Sequence, residues 1–231
     1  ELGFPLLGDT VQLAATAFFH RSAPSFYMQQ YYGKHYMWDN NLNQEIHSRI
    51  LGEFSLKKTR TKLRVGYDVL KNYTYFGIQN DRVKSGDNYL VQHNDLNVRQ
   101  SSSPINLLTL QLQQDFRLGI FNWQNVLTFQ KSSKEDILPV PTFNAYSNLF
   151  IRFKIARVLD VDLGVDGRYF TSYYAPEYIP GIGAFGIQET DASRTKIGNY
   201  PHLNAYANFQ LQHTRFYVMF THVNSADGGK Y

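Results

Sequence analysis

The side chains of this sequence best suited to metal ligation or proton transfer at neutral pH are its seven histidines. His20, His35 and His47 have acids nearby in the chain, notably Asp39 and Glu45. Glu45 and His47 stand two residues apart in an alternating stretch, which puts both on the polar face of a strand and not in a ligand cage. No H-E-x-x-H helix, EF-hand loop or phosphate-binding glycine loop occurs. With no cysteine, disulfides, thiolate chemistry and Cys-ligated metals are excluded. Gly181, Gly183 and Gly186 have G-x-G-x-x-G spacing, but Pro180 precedes them where a strand is required and no helix follows. A lipid-hydrolysing enzyme would need a serine hydroxyl within reach of a histidine. Ser48 adjoins His47, but neighbouring strand residues point to opposite faces. Ser147 and His222 would have to meet from different strands, and nothing singles them out. No catalytic residue, cofactor or metal is expected.

What does recur is charge on alternate residues. Glu45, Arg49, Glu53, Lys62, Arg64, Asp68, Asp115, Arg117, Arg152, Lys154, Asp162, Asp166 and Arg168 all fall on the polar side of period-two segments. Seven of these are basic and six acidic, a near balance that predicts weak ion selectivity if they line water. Arg49, Arg64, Arg117 and Arg152 are the candidates for tuning passage. The opposite side of the same segments is apolar, with Leu110, Leu112, Ile151, Leu163 and Leu203 as candidates to face lipid.

The elements that must position these residues are long strands. Alternation is found over 10–20, 42–56, 61–76, 105–118, 122–131, 142–156, 159–173, 201–213 and 216–224; in the last the two faces are ambiguous. Nine to sixteen residues exceeds the five or six usual in globular sheets, while a tilted membrane strand needs about 9–11. Short links at about 57–60, 119–121, 157–158 and 214–215 alternate with long ones at 21–41, 77–104, 132–141 and 174–200. This is the pattern of a barrel with tight turns on one rim and extended, extracellular loops on the other. The segment 88–98 reads as part of an outer excursion. Nine strands is odd, and a closed bacterial barrel needs an even number. The expectation is therefore an all-β, transmembrane, antiparallel up-and-down β-barrel, seen as an incomplete portion of a larger barrel, with 1–231 as one barrel segment.

Composition agrees. Aromatics are 16%, with 17 Tyr and 17 Phe, which suits a surface apolar on one side and wet on the other. Tyr67, Tyr73, Tyr75, Tyr169, Tyr173, Trp38 and Trp123 fall near strand ends, as an interfacial girdle would require. No run of eighteen apolar residues occurs, and the opening ELGFPLL lacks the pattern of a signal peptide, which is expected to be removed or to lie outside this segment. The formal charge is +4, and KKTRTK at 57–62 is the only dense basic run, better read as a turn than as a nucleic-acid footprint. The expected partner is the lipid bilayer; nucleic acid is not. Other envelope proteins or a second copy of the chain are the remaining candidates.

Three stretches resemble a known family, the putative porins of Bacteroidota: FNWQNVLTFQKSSKEDILPVPTFNAYSNLFIRF (121–153), SYYAPEYIPGIGAFGIQ (172–188) and NYPHLNAYANFQLQHTRFYVMFTHVN (199–224). The family's members are large single-chain outer-membrane barrels, and the sequence looks like their C-terminal part. The resemblance implies an outer-membrane location and a water-filled channel for passive diffusion of small hydrophilic solutes. A scaffold barrel within an envelope assembly, and less strongly an outer-membrane lipid-hydrolysing enzyme, are the alternative readings.

Overall fold

The computed structural model describes residues 2–6, 9–85, 88–189 and 194–225; for 2–6, 9–10, 80–85 and 88–94 it describes the backbone alone. The portions of the expected connections at 86–87 and 190–193 lie outside the described residues. In chain order the elements are β1 (Leu2–Leu6), β2 (Asp9–Ser22), α1 (Phe26–Gln29), β3 (Gln30–Tyr32), β4 (Met37–Asp39), β5 (Glu45–Leu56) and β6 (Thr61–Lys71). Then follow β7 (Thr74–Ser85), β8 (Asn88–Gln100), β9 (Ile105–Leu118), β10 (Phe121–Ser132) and β11 (Phe143–Ile155). The last are β12 (Leu159–Phe170), β13 (Glu177–Ile179), β14 (Ala184–Gln188), β15 (His202–Leu211) and β16 (Thr214–Phe220).

A strand that alternates polar and apolar side chains must satisfy its backbone groups through neighbouring strands. Here that is done by a ten-stranded antiparallel sheet in the order β1-β2-β5-β6-β9-β10-β11-β12-β15-β16. All nine alternating segments contribute a strand to it, and β1 is a tenth that alternation did not reveal. Among the described residues no ladder joins β1 to β16.

Several boundaries are corrected. The segment 61–76 is two strands: Asn72, at φ 55, breaks it between β6 and β7. Leu42 precedes β5, and Tyr173 follows β12, making only an isolated bridge to Ile197. The last tight turn is 212–213, with Gln212 at φ 49, and not 214–215.

The tight turns carry the required backbone in different ways. Between β9 and β10, Gly119 takes φ 59 in a two-residue turn, where a glycine in first position suits the twist of the flanking strands. Between β11 and β12 the turn has no glycine: Ala156 and Arg157 themselves take φ 50 and φ 63.

The long connections fold together. β7 and β8 form a long hairpin, and β14 adds to β7 in parallel, giving a four-stranded sheet β13-β14-β7-β8. Phe76, Ile78 and Leu96 of that sheet pack with Ile179, Ile182 and Trp38, and Tyr27, Met28, Tyr31 and Tyr36 close the cluster. The cluster of buried hydrophobic residues thus lies among three excursions from one rim. Trp38 belongs to this buried cluster, which corrects its placement in an interfacial girdle, while Tyr73 and Tyr75 stand at the base of the cap, where β7 begins.

Candidate functional site: the two faces of the sheet

Residues paired across an antiparallel ladder point to the same side of the sheet. The register runs without a bulge from β1 to β16, so one parity assignment fixes both faces. One face carries the row Leu13, Phe54, Leu63, Leu112, Leu127 and Ala145. Leu110 and Leu112, Ile151, Leu163 and Leu203 all share it. The opposite face takes all thirteen of the charged candidates: Glu45, Arg49 and Glu53 on β5; Lys62, Arg64 and Asp68 on β6; Asp115 and Arg117 on β9; Arg152 and Lys154 on β11; and Asp162, Asp166 and Arg168 on β12. The register also resolves β16: Phe216, Val218 and Phe220 join the apolar face, and Arg215, Tyr217 and Met219 the polar one.

On the polar face, directly opposed residues make a ladder of contacts. Arg64 Nε donates to Glu53 at 2.6 Å, Lys62 Nζ lies 3.0 Å from the same carboxylate, and Arg64 Nη1 reaches Gln111 at 3.4 Å. Gln111 Nε2 continues to Thr128 at 3.2 Å, so one chain of polar contacts crosses four strands. Arg152 holds Asp162 through two hydrogen bonds of 2.7 and 2.8 Å, the bidentate geometry that fixes a guanidinium to a carboxylate. Lys154 faces Asp160 at 3.3 Å. Asp68, only 7% exposed at its side chain, meets His47 Nε2 at 2.7 Å and Arg49 Nε at 3.6 Å. Asp166 accepts from Asn204 at 3.0 Å, Arg168 lies over the Tyr146 ring, and Glu45 accepts from the Thr74 backbone N–H at 2.8 Å. Asp115 and Arg117 form no ion pair among the described residues. Alternation put His47 and Tyr206 on this face without singling them out, and passed over Asp160 and Arg215, which the register adds to it; Asp160 was legible as the residue two before Asp162.

Phe150 interrupts the polar face for a packing reason. It is buried against Gly164, where a Cβ would sit 2.6 Å from Phe150 Cβ and 2.7 Å from the Tyr206 ring. Tyr206 in turn donates to Asn148 at 2.9 Å, and the Arg152 guanidinium lies 5.2 Å from the Phe150 ring centroid.

The apolar face is uncovered. Leu118 is 81% exposed, Leu149 55% and Leu163 38%, and Ile50, Phe121, Val165 and Phe220 are exposed with them. Total accessible surface is 15210 Å². A compact monomer of this mass, 26.8 kDa, would expose about 10,800 Å². The face has polar exceptions, among them Ser48 and the paired row Gln114, Asn125 and Ser147; in that row Trp123 Nε1 donates to the Ser147 hydroxyl at 2.8 Å, and the hydroxyl donates to Asn125 at 2.8 Å. That engagement is with an indole and an amide, not with a histidine, and no group of three or more potential metal ligands occurs among the described residues.

In the cap, burial and the neighbouring Tyr31 push the Tyr27 phenol above its ordinary range, and burial with Glu45 does the same to Tyr73 at the base. Tyr27 donates to the Ile182 carbonyl at 2.6 Å and its own carbonyl accepts from Trp38 Nε1 at 2.8 Å, so it joins the first excursion to the last.

No curated protein matches the chain. A family model described as "Putative porin" matches residues 1–231, the whole length. With that match over an antiparallel sheet that is apolar on one face and charged on the other, the chain belongs to the putative porin family, a family of transport proteins and not of enzymes.

Proposed function

We propose that the ten-stranded sheet is one wall of a transmembrane β-barrel in the bacterial outer membrane, and that its polar face lines a water-filled channel for passive diffusion of small hydrophilic solutes. The observation that carries this is the two-sidedness of one sheet. An uncovered apolar face across the nine strands from β2 to β16 calls for hydrocarbon, while paired carboxylates and guanidinia on the reverse call for water. Strands such as β9, with 14 residues, rise about 45 Å, enough to cross a hydrocarbon core of about 30 Å at a tilt. The free edges of the sheet would each leave backbone groups unsatisfied in lipid, so the wall is completed by further pairing into a larger barrel.

The wall charges pair mainly with neighbours in the same sheet. They therefore need no plug to satisfy them, which favours an open lumen over a scaffold barrel with a filled interior. Tight turns stand at one rim and the cap at the other, which supports reading the first as inner turns and the second as extracellular loops. The 174–200 connection is the candidate constriction of the mouth, through its place in the cap. Reconstitution of the full chain in a planar bilayer tests the channel: discrete, ohmic, weakly selective steps are expected, rising in size when 174–200 is replaced by a short Gly-Ser link. Correctly folded, inserted protein that passes no current would overturn the channel reading and leave the scaffold one.

A further inference from the structure

The two rims differ in charge. Among the described tight turns, 57–60 carries Lys57, Lys58 and Arg60 and the link between β11 and β12 carries Arg157; the other two are Gly119-Ile120 and Gln212-His213, and no acid appears in any of the four. These residues are exposed. The connections on the far side carry both signs, with Asp39, Asp95, Glu135, Asp136, Glu177 and Glu189 beside Lys34, Arg99, Lys134, Arg194 and Lys196, so among the described residues only the tight-turn rim is purely basic. The basic turns also adjoin an exposed end of the apolar face: Leu118, Ile120, Phe121 and Val158 stand out beside them.

We propose that this tight-turn rim is a binding surface for anionic phospholipid headgroups. The inference rests on the reading that the apolar face meets hydrocarbon. A basic row alone would fit any polyanion. A basic row continuous with an apolar wall fits amphiphiles, one phosphate meeting Lys57 and Arg60 at the β5–β6 turn and another meeting Arg157 at the β11–β12 turn, while acyl chains lie along Leu118 and Phe121 between them. The leaflet at this rim would then be enriched in anionic lipid around the protein, by an electrostatic term that falls with salt.

Trp123 is placed to report this. It stands on the apolar face of β10, three residues past the 119–120 turn, with the 57–60 turn two strands away on one side and the Arg157 turn at the next hairpin on the other. In the full chain carrying Trp38→Phe, quenching of Trp123 is measured in vesicles with equal fractions of brominated phosphatidylglycerol or brominated phosphatidylcholine. Phosphatidylglycerol is expected to quench as though enriched about five-fold or more, on the order of one charge contact. The preference should collapse in high salt and in the variant Lys57→Gln, Lys58→Gln, Arg60→Gln, Arg157→Gln, while quenching by the phosphatidylcholine probe persists. Equal quenching by the two lipids in the parent, or a preference that survives in the variant, overturns the proposal and turns the rim toward an acidic polymer or protein. No quenching by either lipid would instead overturn the membrane reading beneath it.

Discussion

Gly164 shows how closely the polar face is built. Its neighbours Phe150 and Tyr206 close over the position, and a Cβ there would come within 2.6 Å and 2.7 Å of them. Gly164→Ala should therefore cost about 1–3 kcal/mol, the range for overpacking, read as a lower urea midpoint for unfolding from vesicles. Gly119→Ala offers a contrast: nothing lies within 4 Å of its Cβ, and its penalty would come from φ 59 alone, about 1 kcal/mol. An equal or smaller loss at Gly164 would show that Phe150 and Tyr206 do not close as described. At this scale the sequence was informative about chemistry and poor about packing. Parity put Arg152 and Asp162 on one face, and their opposition follows once β11 and β12 pair. The break in the pattern at Phe150 could not be explained from the sequence, because the answer, Gly164, lies on the neighbouring strand and depends on register.

The hairpin of β11 and β12 turns on two non-glycine residues in the left-handed region, Ala156 and Arg157. Ala156→Gly should relieve backbone strain at φ 50 and stabilise the hairpin by up to about 1 kcal/mol, seen as a slower unfolding rate; a faster rate would mean that the turn is not strained. The cap makes a prediction about pH. Tyr27 and Tyr73 have phenols held above the unfolded value of about 10, so neutral side chains are favoured in the folded cap. Their contribution is complete below that unfolded value and is lost as pH rises through the folded pKa, because the unfolded chain releases its protons first. Trp38 emission, followed in a Trp123→Phe background, should shift to the red above about pH 10, and Tyr27→Phe should weaken that shift. Emission flat to higher pH would separate the phenols from cap stability. Most strands of the large sheet were legible because they have one polar and one apolar side over ten or more residues; β16, with seven, has faces that only the register separates. The cap was not. Its strands β13 and β14 are short, its core draws a few residues from each of three excursions, and the break at Asn72 lacks the glycine that would have marked it. β1 was missed because Gly3 and Pro5 argue against a strand, although an edge position accommodates a proline.

For the whole molecule, the wall's charges matter as a sum. Glu53 sits between Lys62 and Arg64 and offsets one of their two charges, and Asp162 neutralises Arg152, so the polar face presents largely paired charge instead of a field of one sign. Such pairs are half-exposed and contribute little to stability, about 0–1 kcal/mol each, which leaves their electrostatic effect on nearby ions as the property to measure. Glu53→Gln with Asp162→Asn removes two negative charges and leaves Lys62, Arg64 and Arg152 without their carboxylates. In a bilayer with a salt gradient, the parent should show a reversal potential near zero, and the double variant should shift toward anion selectivity. The shift should shrink at high ionic strength, since the Debye length falls from about 10 Å at 0.1 M to about 3 Å at 1 M. A shift of that kind requires mobile ions to pass within a screening length of β5, β6, β11 and β12. An inserted, conducting variant with an unchanged reversal potential would mean that the conducting water runs elsewhere and that these residues only tie neighbouring strands together.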